Sequence, residues 1–132
     1  MKKLFLVGII LLFACACSNS YFKKIDLKTL KNKLEQKETF VLCLTDENDG
    51  NILKKTLETV SKKNSIQAYY LNTIQLNDND LKSLKELFTF ENTNIILFVK
   101  KGQEETVLSR VDNLYISTKE LEQELINQGY IK

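Results

Sequence analysis

The sequence predicts an α/β fold: one domain on a four-stranded mixed sheet flanked by helices, preceded by a cleaved apolar leader. Three observations predict it. Apolar runs of strand length recur at residues 39–45, 66–71 and 95–99, and their continuity suits strands covered on both faces. Between them lie stretches whose apolar residues return every three or four positions, the spacing that lines one face of a helix. The order strand, helix, strand implies a parallel pair joined by a right-handed crossover, while a late tight turn implies a hairpin. The chain has 132 residues and is 43% hydrophobic, enough for one core and too short for several domains.

The first helix is marked by Leu27, Leu30 and Leu34, which share a face at i, i+3, i+7. Thr39-Phe40-Val41-Leu42-Cys43-Leu44-Thr45 then reads as a central strand. Asp46-Glu47-Asn48-Asp49-Gly50 breaks the pattern, and Leu53, Leu57 and Val60 mark a second helix. Residues 66–71 make a second strand, after which Asn77-Asp78-Asn79-Asp80 offers caps for a helix carrying Leu81, Leu84 and Phe88. Ile95-Ile96-Leu97-Phe98-Val99 is a further buried strand, Lys100-Lys101-Gly102-Gln103 a tight turn, and residues 106–111 the returning strand. Ser117-Thr118-Lys119-Glu120 is a capping box opening a last helix, with Leu121 and Leu125 facing inward. Gly129 can take the left-handed position after that helix, with Tyr130 packing back over its last turn.

Residues 1–14 read as a signal peptide. Lys2 and Lys3 form a positive start, and residues 4–14 an apolar run of eleven, short of the about 20 needed to span a bilayer. The run ends in Leu12-Phe13-Ala14-Cys15-Ala16-Cys17, which resembles the bacterial lipobox: an apolar residue, a small residue, then the cysteine that receives lipid. Leu12 and Ala14 favour Cys15 as acceptor; Cys17 is the alternative frame. The resemblance implies diacylglycerol and a further acyl chain on one of these cysteines, supplying the two or more chains that stable anchoring takes. Residues 15–24 are then a lipidated tether and 25–132 the exported domain. No other cofactor is expected.

Over residues 25–131 the order helix, β-α-β-α-β-β-α resembles the thioredoxin fold. Phe40-Val41-Leu42-Cys43-Leu44 is similar to that family's first core strand, and Ile95-Ile96-Leu97-Phe98-Val99-Lys100-Lys101-Gly102 to its apolar strand followed by Lys-x-Gly. The family's Cys-x-x-Cys, whose thiolate a helix N-terminus stabilises, would fall at Asp49-Gly50-Asn51-Ile52, and its cis-proline at about Asn94. This chain has neither cysteine there and no proline. The resemblance therefore implies a scaffold without the family's redox chemistry.

Composition removes further classes. The chain lacks histidine, which excludes His-based catalysis and His metal ligands. Lys and Arg total 19 against 17 Asp and Glu; without Lys2 and Lys3 the balance is 17 against 17. Such neutrality lacks the footprint a nucleic-acid binder needs. Cys43, inside an apolar run, reads as a small core hydrophobe. The loop residues Asp46, Glu47, Asn48 and Asp49 form a candidate binding loop, though turn formation and capping also explain them, and their spacing is not that of an EF-hand. Tyr69, Tyr70 and Tyr115 are candidates for a recognition surface, though Tyr69 and Tyr70 alternate along their strand and so cannot share one patch.

The expectation is a lipid-anchored protein on the exported side of a bacterial membrane, non-enzymatic, binding or assisting another envelope or exported protein. The alternative is an envelope thiol-disulfide oxidoreductase using Cys43.

Overall fold

The computed structural model describes residues 21–46, 51–88, 94–104, 110–111 and 116–131. Along the chain these form β1 (Phe22–Lys24), α1 (Leu27–Glu35), β2 (Phe40–Thr45), α2 (Asn51–Asn64), β3 (Ala68–Asn72), a 3-10 turn (Thr73–Gln75), α3 (Asp78–Leu87), β4 (Ile95–Lys100), β5 (Gln103–Glu104), β6 (Arg110–Val111) and α4 (Thr118–Asn127). The chain is thus α/β with a mixed sheet, compatible with a thioredoxin-like fold.

Sheet order is β1-β3-β2-β4-β5, with β6 also on β4. Strands β1, β3 and β2 run parallel, whereas β4 is antiparallel to β2 and to β5 and β6. All six residues of β2 are buried, as expected for a strand with neighbours on both edges and helices on both faces. The period of two divides its side chains between two cores. Phe40, Leu42 and Leu44 join Leu30 of α1 and Leu84 of α3 on one face. Val41 and Cys43 join Leu53 and Leu57 of α2 and Leu121 and Leu125 of α4 on the other. Each fully buried leucine or phenylalanine in these layers stabilises the fold by about 1.5–3 kcal/mol.

Helix ends follow local chemistry. Asp26, Asn77 and Ser117 each accept the backbone N–H three residues on, at 2.8, 2.8 and 3.1 Å. After α4, Gly129 sits at φ 85°, with Tyr130 N–H donating to the Leu125 carbonyl and Gly129 N–H to that of Ile126. This is the expected left-handed stop. After α1 and α2 the same left-handed position is held by Lys37 (φ 57°) and Ser65 (φ 55°), at neither of which the sequence signals it.

Two expectations are corrected. Residues 22–24, assigned to the tether, are instead strand β1. Phe22 is 7% exposed and stacks on Tyr70 with ring centroids 5.1 Å apart. Ala68 N–H donates to the Tyr21 carbonyl and Ile25 N–H to that of Tyr70, closing the β1–β3 ladder. One aromatic residue beside two exposed lysines carries no readable alternation, so only pairing with β3 makes the strand.

The returning strand, expected at 106–111, begins earlier. Lys101 and Gly102 both have positive φ, 52° and 76°, the backbone of a two-residue hairpin turn, and pairing resumes at once between Lys100 and Gln103. It reappears at Arg110 and Val111, opposite Leu97 and Ile96; residues 105–109 lie outside the described residues. Gly102 is required at its position. Its N–H donates to the Glu38 carbonyl at 2.9 Å, and a Cβ there would run into the Leu34 carbonyl oxygen.

Candidate functional site

In open α/β sheets, ligand sites form beyond the carboxyl ends of the parallel strands. Here short polar side chains tie the ends of β2 and β3 to each other and to the start of β4. At the exit of β2, the Thr45 carbonyl accepts the Thr73 hydroxyl at 3.2 Å, and Asp46 N–H donates to Asn94 Oδ1 at 3.0 Å. Asn72 Oδ1 in turn accepts the Ile74 N–H at 3.0 Å, capping the 3-10 turn. Thr45, Asn72 and Thr73 are all buried, so each hydrogen bond spares a polar group the cost of burial without a partner. The three strand ends are held in a fixed relation.

Of the candidate binding loop, Asp46 stands at this end, half-buried, with its backbone amide held by Asn94. Glu47, Asn48 and Asp49 lie outside the described residues, as do Cys15 and Cys17. Asn94 stands where the resemblance to the thioredoxin fold would place a cis-proline. Its side chain instead ties the entry of β4 to the exit of β2. Asn72 and Thr73 carry no mark in the sequence, and Asn94 is marked there only as the place of an absent proline, because isolated Asn and Thr at the ends of apolar runs look the same whether they bridge strands or face water.

Cys43 lies mid-strand in β2, wholly buried among the side chains facing α2 and α4. Burial pushes its thiol up to about 12, against only a weak opposing pull from Lys54. Its Sγ lies 3.9 Å from the Leu44 carbonyl oxygen. A nucleophilic cysteine needs thiolate and access, and this one has neither. It acts as core.

Tyr69 and Tyr70 face opposite layers as alternation requires. Tyr69 meets Phe40 edge-on at 5.5 Å and carries the Lys33 ammonium 4.4 Å above its ring. Tyr70 stacks on Phe22 and carries Lys54 at 4.1 Å. Tyr115 lies outside the described residues.

A groove of about 810 Å³ opens where β1 passes into α1. Its lining includes the buried Leu27 and Leu71, the lysines Lys24, Lys28 and Lys31, and the acids Glu35 and Asp80. Asp26 also lines it, and hydrogen bonding to Thr29 holds its carboxyl below the usual value of 3.8. Among the described residues no group of three or more His, Cys, Asp or Glu could hold a metal ion, and no helix is long and apolar enough to cross a membrane. Comparison with protein-family models and with curated proteins finds no match to the chain.

Proposed function

We propose that the chain is a lipid-anchored protein of the bacterial envelope whose thioredoxin-like domain is a non-catalytic binding or accessory module for another envelope or exported protein. The lipobox-like Leu12-Phe13-Ala14-Cys15 supports the anchor. For the fold, the support is the parallel β1-β3-β2 order with β4 antiparallel beside β2. The observation that carries the non-catalytic part is Cys43: the single cysteine among the described residues is sealed in the core with its thiol pushed up to about 12. At the position of the missing Cys-x-x-Cys stand Asp49, Gly50, Asn51 and Ile52.

Two measurements test this. In a bacterial host fed a palmitate analogue, the full chain becomes labelled, Cys15→Ser abolishes the label, and Cys17→Ser leaves it; an unlabelled chain, or label surviving both changes together, overturns the anchor. Purified protein leaves a disulfide substrate unreduced in the presence of dithiothreitol beyond the rate of dithiothreitol alone. Turnover that Cys43→Ser abolishes would instead establish the oxidoreductase.

A further inference from the structure

The domain is neutral only in sum. Residues 21–37 carry six lysines against Asp26 and Glu35, a net of four positive charges, while residues 38–132 carry 11 basic against 15 acidic side chains, a net of four negative. The structure folds the basic stretch into β1 and α1, and β1 forms one edge of the sheet. Lys23, Lys24, Lys28 and Lys31 are all exposed, and Lys24, Lys28 and Lys31 line one groove. Among the described residues no ion pair engages these four; Lys33, by contrast, is taken up by Glu38 at 3.5 Å and by the Tyr69 ring. The acids nearest them are few. Asp26 is occupied capping α1, which leaves Glu35 and Asp80 on the groove.

We propose that this β1–α1 edge rests on the surface of an anionic phospholipid bilayer, holding the domain edge-on to the membrane with its acidic remainder turned away. The inference rests on the lipid anchor proposed above, which also selects the partner. Six residues, 16–21, separate Cys15 from β1, or four from the alternative Cys17, a reach of at most about 20 Å at roughly 3.4 Å per residue. A tether that short keeps the start of β1 within about two to three Debye lengths of the headgroups at physiological salt. It also makes docking intramolecular, so a weak attraction suffices. Juxtamembrane lysines are drawn to anionic lipid, and the effect accumulates with their number. The other lysine-rich element, α2, has Lys62 and Lys63 paired with Glu58 and Glu122 and Lys54 over the Tyr70 ring, and residues 38–132 as a whole carry a net negative charge.

The test uses the full chain, made with its leader in a bacterial host and reconstituted into vesicles of phosphatidylcholine alone or with phosphatidylglycerol. Lysines are acetylated by a brief amine-reactive pulse and read by mass spectrometry. Lys55 on α2 and Lys119 on α4, exposed on the opposite face of the sheet, serve as references. Lys23, Lys24, Lys28 and Lys31 should react about fivefold more slowly on phosphatidylglycerol vesicles, relative to the references. The protection should vanish in 1 M salt, where the Debye length is about 3 Å. The double variant Lys28→Gln, Lys31→Gln, both exposed and so neutral to folding, should lose most of the protection at Lys23 and Lys24 while unfolding at the wild-type temperature. Equal rates on the two vesicle types, or protection at Lys55 and Lys119 instead, overturn the proposal. The mass of the N-terminal peptide in the same sample reports lipidation separately. A lipidated chain with equal rates loses the docking and keeps the anchor; an unlipidated chain loses both.

Discussion

Single residues in this protein are decided by what surrounds them. Cys43 is the plainest case: an apolar strand in the sequence suggests a core cysteine, and its burial on the α2–α4 side makes it one. With the thiol pushed up to about 12, its thiolate at pH 8 is reduced about a thousandfold relative to an ordinary cysteine, so iodoacetamide should leave the native protein unmodified and label it promptly in guanidinium. Asp26 is a milder case. Its folded carboxyl titrates below the usual 3.8 because the Thr29 side chain and amide bond its charged form. A lowered folded value means the contribution to stability is complete above the unfolded value and is lost as pH falls through the folded one. Asp26→Asn, which keeps a cap, should therefore differ most from wild type near neutrality and converge on it as urea midpoints are followed below about pH 3.8. Gly102 and Gly129 separate conformation from space. Both have positive φ, yet a methyl at Gly102 strikes the Leu34 carbonyl, whereas at Gly129 the nearest atom is the Lys100 ammonium, at an ordinary contact distance of 3.8 Å. Gly129→Ala should cost about 1 kcal/mol, and Gly102→Ala clearly more, compared by chemical denaturation.

At the scale of elements, what was readable was what is local. Leucine spacing located α1, α2, α3 and α4, and the caps Asn77 and Ser117 stand where the sequence places them. Replacing Ser117 by Ala should lower stability by about 1 kcal/mol, since it leaves the Glu120 N–H without its acceptor. The helix stops were half readable. Gly129 announced one, but Lys37 and Ser65 hold the same left-handed backbone with side chains that give no sign of it. Ser65 is exposed, so Ser65→Gly should relieve that conformation and raise stability by about 0.5–1 kcal/mol, with Ser65→Ala showing no such gain. Strand β1 was missed for a related reason. Three residues cannot display a period, and its existence depends on Tyr70 and Ala68, more than 40 positions away.

For the molecule as a whole, the structure extends the domain back to residue 21 and gives the sheet an edge that the sequence did not show. Removing residues through 20 should leave the unfolding midpoint where it is, because β1 and its partners remain. Removal through 24 strips the β3 edge and takes Phe22 from the Tyr70 stack, and should cost about 3–5 kcal/mol in urea, the range of deleting a buried aromatic side chain. Charge belongs to the same scale. The even balance of residues 4–132 conceals a basic β1–α1 edge and a remainder of net negative charge, a separation that gains meaning only once β1 is known to be an edge strand.

Taken alone, the sequence determined the α/β class, the four helices and the central buried strand, because periodicity and caps are properties of neighbouring residues. It also settled that no histidine or second domain cysteine accompanies Cys43. Tertiary structure decided the rest: the β1 edge, the early hairpin at Lys101-Gly102, the Asn94 and Thr73 ties across the strand ends, and the gathering of lysines beside α1. Each depends on groups far apart in the chain, where a short polar side chain, an isolated aromatic or a lysine carries no mark of its partner until the sheet brings the two together.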